Sequence, residues 1–524
     1  MVGDFPYWLE QVSTWPFSDY IHGKGFSKSM CEFTQLNTYI LYKTIGINKW
    51  AWHIVFISLH SISALLLYVL LSNIFRDAEI KNRKSLAFTS AILFIVTPMA
   101  SEAVVWKPAY HFLLATIFIL TVLILVQKYQ RTPQNKYAIY AGVIYLISTF
   151  SLELFYVTPL LCLALSVFYF KTFGNHTNIF KKTITYFWVP QIICVLFNLF
   201  LLKALHHSFI SHYSNIPDLH IIDLASKPLK YLFHILFFGR FLPNTFRFSI
   251  YEFCESLLTL IVFYASLTGV LVWILATIKR RSGYAKTILL LSVFIMIILV
   301  YLSPLAFPNL LLVTYDRYSY LVSGFVFAMV VLLLNSLRSD IIKYSLVGLY
   351  ITANIFFTLK VNGDWLASQK IINSLYKTFP AVGNKVVIQL NVPQCFDGVP
   401  MMDAQTSPDG GFKLMYNEFS GNHINSDVYG VAAFNMISSG DGAHITVIND
   451  SVVNVTLNQW GTWWWFSGLG AFSYENEQFK VNMRDVGHEY QLVLKKPEDK
   501  YVVMFEADGK WKIVNWNKKN VAQY

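Results

Sequence analysis

The carboxylates of this sequence that could do chemistry fall at turns. Glu102 lies in Thr97-Pro98-Met99-Ala100-Ser101-Glu102-Ala103-Val104-Val105-Trp106-Lys107-Pro108, between apolar runs over 86–96 and 112–126. Glu153 follows Ser151-Leu152, and Asp316 opens Asp316-Arg317-Tyr318-Ser319-Tyr320. Asp4 and Asp19 stand in an N-terminal stretch rich in Phe, Tyr and Trp. A carboxylate where lipid meets water is costly unless it has a partner or a task. Gathered on one side of a helical bundle, such groups suit work on a lipid-borne substrate. A carboxylate placed there can take a proton from an acceptor hydroxyl, and nearby Arg and Lys can hold a phosphate leaving group. The plainer reading makes Glu102 a solvated loop tip and Asp316-Arg317 a structural ion pair. Adjacent residues cannot face each other on a helix, so that pair needs a partner elsewhere.

The elements that must position these groups are membrane spans. Of 524 residues, 55% are hydrophobic and 14% charged. A soluble domain carries roughly 25% charged residues, so this is a polytopic membrane protein. Proline brackets the Glu102 turn at 98 and 108, ending the helices on either side. Apolar runs near 51–75, 86–104, 110–127, 137–152, 154–171, 183–203, 256–278, 286–303, 319–337 and 342–359 read as about ten spans, each near the ~20 residues that cross the hydrocarbon.

The net charge of +11 marks topology, not nucleic acid. Lys and Arg cluster in the short loops around 76–84, 128–136, 171–182, 279–286 and 338–343, which places those loops in the cytoplasm. The opposite side then holds residues 1–50, the three carboxylate turns, the segment 204–255 and everything after 360. An outer N-terminus with nothing to translocate it predicts a first helix upstream of Met1. The segment 204–255 mixes polar and aromatic clusters and predicts amphipathic helices lying on the outer membrane surface. Its adjacent His206 and His207 diverge around a helix, and no HxxxH spacing points to metal. Five scattered cysteines form no disulfide or metal framework.

Beyond a linker over 361–384, residues 385–524 change pattern. Short β-branched runs at 385–390, 444–448, 451–457, 490–494 and 501–505 predict a small β-rich extracytoplasmic domain. Trp460, Trp463, Trp464 and Trp465 read equally as a sugar-stacking platform, a core or a membrane-facing belt. A proton-coupled transporter would bury its carboxylates near the midplane of matched repeats. Here they collect at one face with no internal repeat, which favours an enzyme.

Pro98-x₃-Glu102-Ala103-Val104-Val105-Trp106 resembles the HPxxxEAVAW turn of bacterial GT-C membrane glycosyltransferases, the group related to transmembrane TPR-containing O-mannosyltransferases. Ser151-Leu152-Glu153 with Thr158-Pro159 resembles their SKE…LP turn, and Asp316-Arg317-Tyr318-Ser319-Tyr320-Leu321 their DRYLYLPS motif. Asn37-Thr38-Tyr39 through His60 resembles the stretch entering their second helix. The matches keep the family order over roughly residues 1–360. The family's HP is Thr97-Pro98 here, its SKE lysine is Leu152, and no TPR pattern follows.

The resemblance implies a GT-C-like all-α membrane domain over 51–360 in the inner (cytoplasmic) membrane. It also implies transfer of a sugar from a polyprenyl-phosphate donor to a hydroxyl of a protein, lipid or glycan acceptor, with inversion, on the periplasmic face. In that frame Asp4 is base or acceptor positioner, with Asp19 in reserve. Glu102 and Glu153 shape the sugar site, and Trp106, Lys107, Asp316 and Arg317 bind substrate. No cofactor is implied. Two other classes remain open: a polysaccharide polymerase or ligase using arginines of a long outer loop, such as Arg240 and Arg247, and a transporter or flippase of lipid-linked sugar.

Overall fold

The computed structural model describes residues 11–21, 31–151, 153–173, 177–207, 221–277, 282–303, 316–402, 412–457, 462–463, 473–485, 488–519 and 521–523. Asp4 and Trp460, Trp464 and Trp465 lie outside the described residues, as do the side chains of Glu153 and Trp463. The chain divides into two compact units, one reaching Leu359 and one formed by Lys360–Tyr524 with two short upstream pieces.

The first unit is helical. It opens with α1 (Phe17–Ile21) and α2 (Glu32–Ile45), followed by α3 (Lys49–Asp77), α4 (Arg83–Ile95), the short α5 (Ser101–Val105) and α6 (Tyr110–Arg131). Next come α7 (Asn135–Ser148), α8 (Thr158–Phe173), α9 (Thr177–Thr183) and α10 (Val189–His206), then α11 (Ile221–Leu236), α12 (Asn244–Glu255) and α13 (Leu257–Thr277). It closes with α14 (Gly283–Leu302), α15 (Tyr320–Asn335) and the first part of α16 (Asp340–Thr378), whose residues from Lys360 on belong to the second unit. Among the described residues, six helical stretches are long and apolar enough to cross a membrane: 49–77, 107–131, 178–204, 283–302, 316–335 and 340–378. Two bent pairs raise the count to eight if each is one span, broken by 55° before Pro98 and by 66° before Leu257. The predicted spans near 137–152 and 154–171 correspond to shorter helices. The segment read as a linker, 361–384, is helical as far as Thr378.

Local chemistry explains the starts and contacts of these helices. Asn48 caps α3, its side-chain oxygen accepting from the Trp50 and Ala51 amides at 3.1 and 3.2 Å, two of the donors every helix start leaves orphaned. Gly283 begins α14 against the end of α3, where a Cβ would lie 1.8 Å from the Ala78 carbonyl oxygen. Only glycine fits there. At the basic-loop end, Arg131 of α6 donates to Asp77 at 2.9 Å and to Asn73 at 3.0 Å, and Tyr169 of α8 donates to Asp77 at 2.5 Å. That network ties three helices together around one carboxylate.

The second unit carries β1 (Val386–Phe396), β2 (Val399–Pro400), β3 (Val428–Met436), β4 (His444–Asn449), β5 (Val452–Thr456), β6 (Thr462–Trp463), β7 (Ser473–Glu475), β8 (Phe479–Asp485), β9 (Glu489–Leu494), β10 (Tyr501–Ala507), β11 (Lys510–Ile513) and β12 (Ala522–Gln523), with α17 (Phe412–Phe419) between β2 and β3. One sheet has the order β11-β10-β1-β3-β6 with β2 on β1, and the other β12-β4-β5-β9-β8-β7. β1 runs parallel to both β3 and β10. A strand with parallel neighbours on both sides is covered on both faces, which accounts for its nearly unbroken burial. The second sheet is antiparallel throughout the described pairs.

Candidate functional site

The site is built on the break between α4 and α5. Pro98 lacks an N–H, so the helix stops and the carbonyls of Ile95 and Val96 need partners from outside. His60 of α3 takes one: its Nε2 lies 3.2 Å from the Ile95 oxygen, and its Nδ1 lies 2.7 Å from the Tyr320 hydroxyl. A carbonyl only accepts, so Nε2 carries the proton and Nδ1 accepts from Tyr320. The Thr358 hydroxyl of α16 donates to the Val96 oxygen at 2.6 Å, and Thr97 caps the next turn by accepting from the Met99 amide. Three helices thereby clamp a broken backbone.

The clamped turn aims Glu102 inward. It is 4% exposed, which rules out the solvated loop tip. One carboxylate oxygen accepts the Arg317 backbone N–H at 2.9 Å, and the other pairs with the Arg317 guanidinium. That guanidinium lies 4.8 Å from the Trp106 ring centre and 4.9 Å from the Tyr318 ring centre, a cation–π arrangement that fixes its plane. Trp106 thus acts on Arg317.

Asp316 points the other way. Its Oδ1 lies 2.8 Å from His234 Nε2 of α11, and its Oδ2 pairs with Arg240 in the turn after that helix. Arg247 of α12 donates to the Arg240 carbonyl at 3.2 Å. The adjacent Asp316 and Arg317 therefore each find a partner on a different element.

Helix α11 differs from the predicted surface helix. Lys227, Lys230, Tyr231 and His234 recur every three or four residues on one stripe, and that stripe is buried. Ile221 and Ile222, and Phe237 just past the end, are exposed. The amphipathicity is inverted, as expected where protein is the polar environment and lipid the apolar one. Lys227 donates to the Ser303 carbonyl at 3.0 Å and pairs with Asp223 at 3.2 Å, while Lys230 reaches Glu255 at 2.5 Å. The Tyr231 phenol, held protonated by burial, neighbours Tyr318, Arg317, Tyr251 and Glu102.

Arg240, Arg247, Lys227 and Lys230 are buried with Glu102 and Asp316, while Asp223 and Glu255 stay partly exposed. Both buried carboxylates are paired with arginines, and Lys227 and Lys230 are paired with Asp223 and Glu255 at the edge of the cluster. Lys107 is turned elsewhere: 4% exposed, it donates to the Val104 carbonyl at 3.2 Å and sits 3.4 Å from His53 Nδ1 and 4.1 Å from the Phe56 ring centre. Asp19 lies half-buried on α1, which rests on α2 through Phe17 and Tyr39. Glu153 begins a short 3₁₀ turn before α8. The roles of Tyr231, His234 and Lys230 escape sequence reasoning, although the spacing 227-230-234 is itself a helical stripe. Neither a family model nor a curated protein matches the chain.

Proposed function

We propose that this chain is an integral membrane glycosyltransferase that moves a sugar from a polyprenyl-phosphate donor to an acceptor hydroxyl, with inversion. The observation that carries the reading is the buried, cation-rich cluster in which Glu102–Arg317 and His234–Asp316–Arg240 converge on one 3₁₀ turn. In the reaction the acceptor oxygen attacks the anomeric carbon and the carbon–oxygen bond to the phosphate breaks. The leaving polyprenyl phosphate takes the electron pair, and the acceptor proton passes to a carboxylate base. The transition state has oxocarbenium character, and the charge growing on the leaving oxygen is met by Arg317, Arg247 and Lys230. Glu102 and Asp316 act on the arginines, holding their planes. Asp4 keeps the role of base or acceptor positioner that its motif implies, and Glu153 helps shape the sugar pocket.

The same reading sets topology. About ten spans place the basic loops in the cytoplasm and the C-terminal unit outside the inner membrane. A polysaccharide polymerase or ligase is the second reading, favoured by the presence of Arg240 and Arg247 in the same buried cluster.

Transfer in membranes carrying the chain, supplied with labelled polyprenyl-phosphate hexoses and acceptors, tests both. Label reaching an acceptor in the wild type, and lost in Arg317→Gln and Asp4→Asn, supports the transferase. Transfer that survives Asp4→Asn but not Arg247→Gln moves the assignment to the polymerase class. Label that crosses the bilayer unchanged, with no acceptor modified, makes the protein a transporter.

A further inference from the structure

The C-terminal unit holds a buried carboxylate that forms no ion pair among the described residues. Glu506 of β10 is fully buried. Its backbone is clamped by Asn391 of β1, whose amide donates to the Glu506 carbonyl at 3.0 Å and whose oxygen accepts the Glu506 N–H at 2.7 Å. One carboxyl oxygen accepts the Gly509 N–H at 2.7 Å. The other has no hydrogen-bond partner among the described residues. An ionised oxygen left so is among the costlier things a core can contain.

This carboxyl sits beneath a junction. Asp508 and Gly509, both in the left-handed region, make the two-residue turn from β10 to β11, which pairs Glu506 with Trp511. The Trp511 N–H donates to the Thr378 hydroxyl, the last residue of α16, at 3.1 Å. The Trp511 ring meets Phe412 at 5.4 Å, and Phe412 meets Tyr376 of α16 at 5.9 Å. The hairpin therefore docks on the end of α16, and Gly509, which donates to the buried acid, faces the same helix: a Cβ on it would lie 3.9 Å from Ile371.

We propose that Glu506 is a pH-sensitive latch that holds the β10–β11 hairpin on the end of α16, tight when protonated and loosened as the pH rises. The charged groups around it are Asp508 and Lys512 on its own hairpin and Asp441 in the loop before β4. Lys512 is engaged by Asp508 at 3.0 Å. From β1 the neutral amide of Asn391 meets the Glu506 backbone, and at the helix end the Tyr376 ring packs on Phe412. Burial and the two acidic neighbours push the carboxyl up to about 8 from its usual 4.5. When the hairpin lifts, water reaches the acid and its ordinary value returns. Opening is therefore favoured progressively between those two limits and gains nothing further above the upper one. The latch is independent of the proposed transfer reaction.

Hydrogen–deuterium exchange of the full-length protein in detergent, followed from pH 5 to 9 and corrected for intrinsic rates, tests it. In the wild type, protection over 501–513 and 371–378 falls about tenfold per pH unit and levels off near 8. Glu506→Gln keeps the acceptor for Gly509 and cannot ionise, so its profile is flat. Asp508→Asn suits the left-handed turn and removes a neighbouring charge, so the wild-type fall levels off at a lower pH. A flat wild-type profile overturns the latch, as does an equal fall in Glu506→Gln. If Glu506→Gln does not fold, an unshifted Asp508→Asn profile overturns it instead.

Discussion

Glu102 and Arg317 stand 215 positions apart, yet the Glu102 carboxylate accepts the Arg317 backbone N–H at 2.9 Å and pairs with its guanidinium. One residue thus fixes both the main chain and the side chain of the other. The turn carrying Asp316 and Arg317 is held by Glu102 as well as by its continuation into α15.

Removing one partner leaves a buried charge without compensation. Arg317→Met should cost about 3–5 kcal/mol, read as a lower thermal midpoint in detergent. Glu102→Gln in the same chain should restore much of that loss, because the uncompensated charge is gone. A double variant no more stable than Arg317→Met would mean that the pair does not carry the coupling.

Lys107 behaves differently, because no carboxylate lies within ion-pair distance of it among the described residues and its partners are a carbonyl, an imidazole and a ring. Lys107→Met preserves most of the volume and should change stability by less than about 1.5 kcal/mol. If Lys107 binds donor phosphate, the same variant raises the donor KM several-fold. An unchanged KM in the stable variant removes it from the binding site.

The clamp on the α4–α5 break can be dissected by its two carbonyls. Thr358→Val leaves the Val96 oxygen without its 2.6 Å donor and should cost about 1–3 kcal/mol. His60→Phe strips partners from both Ile95 and Tyr320 and should cost more. Thermal unfolding in detergent ranks the two, and equal costs would show that the Tyr320 hydroxyl gains nothing from His60.

The C-terminal unit should lose stability with rising pH. The folded acid at Glu506 titrates at about 8 and the unfolded one at 4.5. Between these limits the folded state holds a proton that the unfolded state has released, so stability falls as pH rises and is level above. The whole window is worth at most roughly 5 kcal/mol. Denaturant titrations of the intact chain, read by tryptophan fluorescence, should show this slope in the wild type and lose it in Glu506→Gln.

Much of this molecule is written in local sequence. Apolar runs bounded by charged loops mark the membrane helices, because the hydrocarbon core demands a minimum apolar length of every span. Pro98 marks the break, because a proline there lacks the N–H that would continue the helix and crowds the turn before it. The β-branched runs after 385 mark strands, and Asp508-Gly509 marks a tight hairpin through its backbone preference alone.

Tertiary structure decided the partners. Nothing local assigns Glu102 to Arg317 and Asp316 to His234 and Arg240, since each pairing depends on how separate helices pack. The stripe Lys227-Lys230-Tyr231-His234 has the same period whether it faces water or protein. Only packing against α12 and α14 turned it inward. Two helices stop short of a full span, and α16 continues beyond one, because helix ends follow the contacts available and not the apolar run alone. The sequence by itself marked the apolar helices, the proline break and several of the strands. Which buried charge meets which was decided only when segments 76 to 215 residues apart came within hydrogen-bonding distance.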